Sequence, residues 1–198
     1  RRVLFRSHIG DPDVIVQLKK EVLVKAAAPD YWADLDLEDL GLKTDRYIQA
    51  IEIKPIKGVK VIHHAVAQSR YEDEHGSQFG LLEEYAVGKF GDIFPAETGR
   101  LIKAGTQAYV NVHLHASGKD EMVQLALGIK YYPAGYTPKH IETVAHVGDN
   151  EDFDIPPNAK NVRSDGYTVL LKPARITAFQ PHLHNRGQAQ CLELIYPP

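Results

Sequence analysis

Apolar and polar residues alternate with a period of two along much of this chain, and that period predicts β-strands. Residues 31–37 alternate polar and apolar, and in 47–54 Tyr47, Gln49, Ile51 and Ile53 share one side. Strands are likewise predicted over 14–18, 21–24, 59–68, 108–115, 123–131, 141–147, 162–171, 175–179 and 191–195. The runs on either side of the break at 55–58 read as antiparallel neighbours. Residues 69–78 read as a charged loop, 94–105 as a segment punctuated by Pro and Gly, and 81–87 as either strand or a short helical turn. A weak helical period appears only at 35–42. Many short strands separated by turn signals predict an all-β sandwich or barrel. Pro133-Ala134-Gly135-Tyr136-Thr137-Pro138 is the natural linker. It divides the chain into a leader (1–12), a first sandwich domain (13–132) and the N-terminal part of a second (133–198).

Composition narrows the classes. With 198 residues and 43% hydrophobic content the chain can bury a core. The net charge is −3 and the longest basic run is Lys19-Lys20, which argues against nucleic acid as a partner. No apolar stretch reaches the length of a membrane span. Cys191 is the sole cysteine, so no disulfide forms within the chain. Arg1-Arg2-Val3-Leu4-Phe5-Arg6-Ser7 resembles a translated sequencing adapter and is set aside together with His8. Ile195-Tyr196-Pro197-Pro198 follows a strand-like run with no closing element, so the chain is expected to be a fragment, and no signal peptide is visible in it.

The candidate chemistry lies in the histidines. Of ten, several fall in three tight groups: His63-His64, His113-Leu114-His115, and His182-Leu183-His184 framed by Pro181, Arg186 and Gly187. On a strand, residues i and i+2 leave the same face, so His182 and His184 can reach one ion, as can His113 and His115. Neutral imidazole is a strong ligand for copper or zinc. His63 and His64 should point to opposite faces of a regular strand. The bland outcome is one in the core and one in solvent; joint ligation needs a local twist or a strand end. A wide angle between adjacent imidazoles suits copper(I) better than tetrahedral zinc. The bland alternative for His113 and His115 is a polar pair at a sheet rim. A cupin site fits poorly, because Glu121 lies too far along. His75, His140 and His146 stand apart and read as solvated or structural.

Taken together, Val61-Ile62-His63-His64, Val112-His113-Leu114-His115 and Phe179-Gln180-Pro181-His182-Leu183-His184-Asn185-Arg186-Gly187 resemble the copper type II, ascorbate-dependent monooxygenases. Peptidylglycine hydroxylating monooxygenase and dopamine β-monooxygenase are animal members; the likeness is closest to bacterial relatives often joined to a cytochrome c-like domain. It extends through Asp45-Arg46-Tyr47-Ile48-Gln49-Ala50-Ile51-Glu52, Glu84-Tyr85-Ala86-Val87-Gly88-Lys89 and Asp154-Ile155-Pro156-Pro157-Asn158, and covers nearly all of 13–198.

The resemblance implies two jelly-roll-like antiparallel β-sandwich domains, the second truncated here, with one copper each. His63, His64 and His113 would hold the electron-transfer copper. His182 and His184 would supply two of three ligands at the oxygen-binding copper. His115 is additional to the pattern, either packed behind the ligands or an alternative ligand. The third oxygen-site ligand is a methionine downstream of the His-x-His; Met122 is the sole methionine and precedes it, so that ligand is expected beyond Pro198. The implied reaction hydroxylates a C–H bond with O₂ and a reductant such as ascorbate. Peptide-amidating members carry an arginine two positions before the His-x-His, where this chain has Gln180, so a peptide C-terminus is a poor substrate expectation. The implied partners are a small-molecule substrate, O₂ and a cytochrome c-type donor, in a periplasmic or extracellular setting. The alternative is a copper-binding or electron-transfer module without hydroxylase activity, attached to a cytochrome c domain.

Overall fold

A computed structural model describes residues 7–148, 154–183 and 186–196. The strands, in chain order, are β1 (Val14–Gln17), β2 (Val22–Val24), β3 (Tyr31–Asp36), β4 (Arg46–Lys57), β5 (Ile62–Asp73), β6 (Gly76–Ala86), β7 (Asp92–Ile93), β8 (Thr98–Ile102), β9 (Gln107–Leu114), β10 (Glu121–Tyr131) and β11 (His140–Ile141). One 3₁₀ turn, Val59–Val61, precedes β5. Among the described residues no helix is long and apolar enough to cross a membrane.

The protein is all-β, and its strands form two sheets. The larger runs β1-β10-β4-β8-β11, with β2 also paired to β10 and β7 to β4; the smaller runs β3-β9-β5-β6. Pairing is antiparallel except for β11, which lies parallel to β8. Apolar positions of both sheets meet in one core that includes Ile51, Ile53, Leu125, Leu127 and Ile129 from the larger sheet and Ala65, Ala67, Val110, Val112 and Leu114 from the smaller. This is the sandwich that the alternation predicts.

Strand β9 shows how sequence sets the register. Ala108, Val110, Val112 and Leu114 are buried, while Gln107, Tyr109, Asn111 and His113 alternate with them. A slip of one residue would expose the buried set. Each large apolar side chain contributes about 1.5–3 kcal/mol by its burial, so the face that His113 occupies is firmly fixed.

Several local expectations are corrected. The runs flanking 55–58 are not neighbours: β4 belongs to the larger sheet and β5 to the smaller. Gly58, at φ 70°, and the 3₁₀ turn carry the chain from one sheet to the other. A Cβ on Gly58 would lie 2.7 Å from the Met122 carbonyl oxygen, so only glycine fits this crossing. Pro55 does not end β4. It pairs opposite Leu125 beside a register shift, where a residue lacking an N–H is tolerated. The charged stretch 69–78 is a hairpin, with Asp73 paired to Gly76 and the His75 N–H donating to Asp73 Oδ1 at 2.8 Å. Residues 81–87 are strand up to Ala86. No helix forms at 35–42; Leu37 and Leu40 instead drop into the core from a loop. The segment assigned to a leader packs from Ser7 onward. Ile9 is buried, and the carboxylate of buried Glu52 accepts from Ser7 Oγ at 2.7 Å and from the His8 N–H at 3.1 Å.

The compact unit built from these strands extends to Val144, and Ala145 begins a second one. Within the second, no described residue is in a strand, so the expected strands at 162–171, 175–179 and 191–195 are absent, and of 141–147 only Ile141 is strand. Thr168 Oγ1 donates to the His146 carbonyl at 2.8 Å and accepts from the Gly148 N–H at 3.2 Å. Gly148 and Gly166 approach so closely that a Cβ on either would collide with the other. Val162, Tyr167, Val169, Leu171 and Ile176 stay exposed. Their β-propensity is realised only when a ladder and an opposing apolar layer are present.

Candidate metal centre

The site begins with a defect in the β5–β9 ladder. Ile62 stands opposite Leu114 and His64 opposite His113, with a register shift between them, so His63 is an extra residue. A β-bulge of this kind suspends the alternation of side chains and re-aims them. Ile62 and Ala65 remain buried, whereas His63 is exposed and His64 half-buried. The simple expectation of one histidine inward and one outward therefore fails, and neither enters the core. His113 joins them through the alternation of β9.

The three imidazoles converge. Their ring centroids are 5.0–5.2 Å apart, at interplanar angles of 65–76°. One ligand nitrogen from each lies within 4.8 Å of the others. His63 Nδ1 and His64 Nδ1 are 2.8 Å apart, close enough to share a proton. His113 Nδ1 is buried without a hydrogen-bond partner, while Nε2 of the same ring lies 3.6 Å from Asp30 Oδ2. His115 is set aside from the group: its ring is 6.3 Å from that of His63, and its backbone N–H donates to the Val61 carbonyl at 3.0 Å.

This donor set fits a borderline or soft metal ion. It consists of neutral nitrogens, which suit copper or zinc, and lacks the oxygens that calcium or magnesium require. Two nitrogens 2.8 Å apart would subtend about 90° at an ion roughly 2.0 Å from each, not the wide angle expected of adjacent imidazoles, so the angle does not favour copper(I) over zinc. An ion bound through Nδ1 of His113 would give that orphaned nitrogen the partner it lacks. Zinc is as compatible with the donor types as copper is.

The His-x-His segment contributes no comparable geometry. His182 is exposed and lies in no strand, and His184 and Asn185 fall outside the described residues. Among the described residues no second group of three ligands converges. His75 and His140 are exposed, as is His146. Met122 sits on β10, paired with Leu23.

Two residues that the histidine pattern does not reveal adjoin the cluster. Trp32, opposite His113 in the β3–β9 ladder, stacks on its ring at 4.8 Å and 12°. It also meets His64 edge-on at 4.7 Å and 75°. Asp30 precedes the same strand. The signal in the sequence is one of parity: Trp32 shares its face with Asp34 and Asp36, so a large apolar ring occupies the wet side of an alternating strand.

Comparisons with protein families, with curated proteins and with solved structures find no match. The fold and the geometry by themselves define an all-β sandwich with a three-histidine cluster at a bulged strand.

Proposed function

We propose that this chain is a copper-dependent monooxygenase-like protein, with His63, His64 and His113 holding its electron-transfer copper. The observation that carries the reading is the bulge at His63, which turns two consecutive histidines toward a third and leaves a buried imidazole nitrogen without a partner. Copper bound there would accept and pass on single electrons, supplied by a reductant such as ascorbate or by a cytochrome c-type donor. The imidazoles contribute uncharged nitrogens that tolerate both oxidation states. His63 keeps one side of the cluster open to solvent, within reach of a soluble donor. His182 and His184 are assigned to the oxygen site, where a small-molecule substrate is hydroxylated, and Gln180 in place of an arginine argues against a peptide carboxylate. A periplasmic or extracellular setting accompanies this reading.

A copper-binding or electron-transfer module is the second reading. It is favoured by the single convergent group among the described residues. Copper titration of metal-free protein tests what the two readings share: one tight equivalent is expected, lost in His64→Ala and in His113→Ala. Failure to bind copper, or tight binding that survives both changes, overturns both. Reductant-dependent O₂ consumption coupled to a hydroxylated product separates them.

A further inference from the structure

Resting on that reading, we propose that Asp30 and Trp32 are positioning residues for the cluster. Trp32 fixes the planes of two imidazoles, and Asp30 selects which nitrogen of His113 carries the proton. Neither belongs to the ligand set.

The argument for Asp30 is electrostatic. Neutral imidazole has one N–H and one lone pair. With the proton on Nε2, the N–H faces the Asp30 carboxylate 3.6 Å away and the lone pair is left on the buried Nδ1. With the proton on Nδ1, a lone pair would face a carboxylate, and a buried N–H would have no acceptor. The first form is favoured on both counts, and it is the form in which Nδ1 can donate to an ion. A carboxylate behind a ligating histidine acts in this way generally.

The argument for Trp32 is steric. An imidazole on an outer sheet face can turn about its terminal torsion, which has broad minima. The indole lies parallel to His113 and edge-on to His64, so it blocks the rotation of both. It does so while 52% exposed, a cost in apolar surface that packing on the two rings offsets.

Long-range ¹H–¹⁵N spectra of metal-free, histidine-labelled protein, at a pH where the rings are neutral, read the tautomer directly. The wild type should show His113 protonated at Nε2. In Asp30→Asn the amide can donate to Nε2, so the signal should shift toward the Nδ1–H form, and copper affinity should fall about tenfold. Asp30→Glu should restore most of both. For Trp32, the sole tryptophan, copper(II) should quench its fluorescence in step with binding. Trp32→Phe should keep the affinity within about twofold, whereas Trp32→Leu should lose about tenfold. An unchanged tautomer in Asp30→Asn overturns the role of Asp30, and wild-type affinity in Trp32→Leu overturns that of Trp32. The tautomer is read without metal. Wild-type protein that shows the Nε2–H form yet binds no copper overturns the copper reading and leaves the Asp30 result standing.

Discussion

His64 and His113 face each other across the β5–β9 ladder one residue beyond a bulge, and the bulged residue is itself a histidine. The defect serves two ends at once. It returns Ala65 to the core parity set by Ile62, and it adds a third imidazole to a face that would otherwise carry two.

Removing the extra residue should separate ligation from folding. With His63 deleted, Ile62, His64 and Ala65 fall into regular alternation, and His64 still stands opposite His113. Copper affinity should drop at least about tenfold with the loss of one imidazole, while the midpoint of thermal unfolding changes by only a few degrees. His63→Ala should show the same loss with the bulge retained. Isothermal titration and a thermal melt of both variants check this.

His115 provides the contrast. Its ring stands 6.3 Å from that of His63, outside the converging group. His115→Ala should leave copper affinity within about twofold, whereas His113→Ala should cost at least about tenfold. Equal losses in a competition assay would make His115 a ligand.

Gly58 links the sheet crossing to the site. Gly58→Ala would place a Cβ against the Met122 carbonyl at a positive φ, at a cost of roughly 1–3 kcal/mol in backbone strain alone. The 3₁₀ turn and the bulge follow within a few residues, so denaturant unfolding should reveal lower stability and copper titration a weaker site.

Glu83 should make stability depend on pH. Its side chain is buried, Oε2 lacks a partner, and Oε1 is paired with Lys89. Burial pushes the carboxyl from an ordinary 4.5 up to about 8, against the pull of Lys89. The folded protein therefore holds a proton that the unfolded chain has lost. That contribution is complete below about 4.5, falls away as pH rises toward about 8, and then levels off. Glu83→Gln should flatten the decline in urea unfolding free energies measured across this window. A wild-type curve that rises there would contradict it.

The oxygen chemistry has its own test. In the proposed reading His182 and His184 would supply two ligands of the oxygen site, and Met122 sits within β10, opposite Leu23. The 198-residue chain should therefore bind copper chiefly at the three-histidine cluster and show no ascorbate-dependent hydroxylation. Product formation coupled to O₂ uptake would refute this expectation.

The sequence by itself determined the strands whose burial pattern is regular. In β9 and β3 the period of two names both the core residues and the face that carries His113 and Trp32, because side-chain direction in a strand is a local property. Clustering also drew attention to six histidines in three groups, but it paired His113 with His115, and which three converge was not legible from the clustering. Tertiary structure decided the rest. No local rule says that β4 and β5 enter different sheets, because the choice of partner depends on the long-range ladder with β9 and β10. Nor does alternation predict that His63 and His64 share a face. The bulge exists because Leu114 and His113 lie opposite Ile62 and His64, and only the paired strand reveals the extra residue. Strand-like runs beyond Val144 show the converse: propensity without a partner ladder or an opposing apolar layer leaves Val169 and Leu171 in solvent.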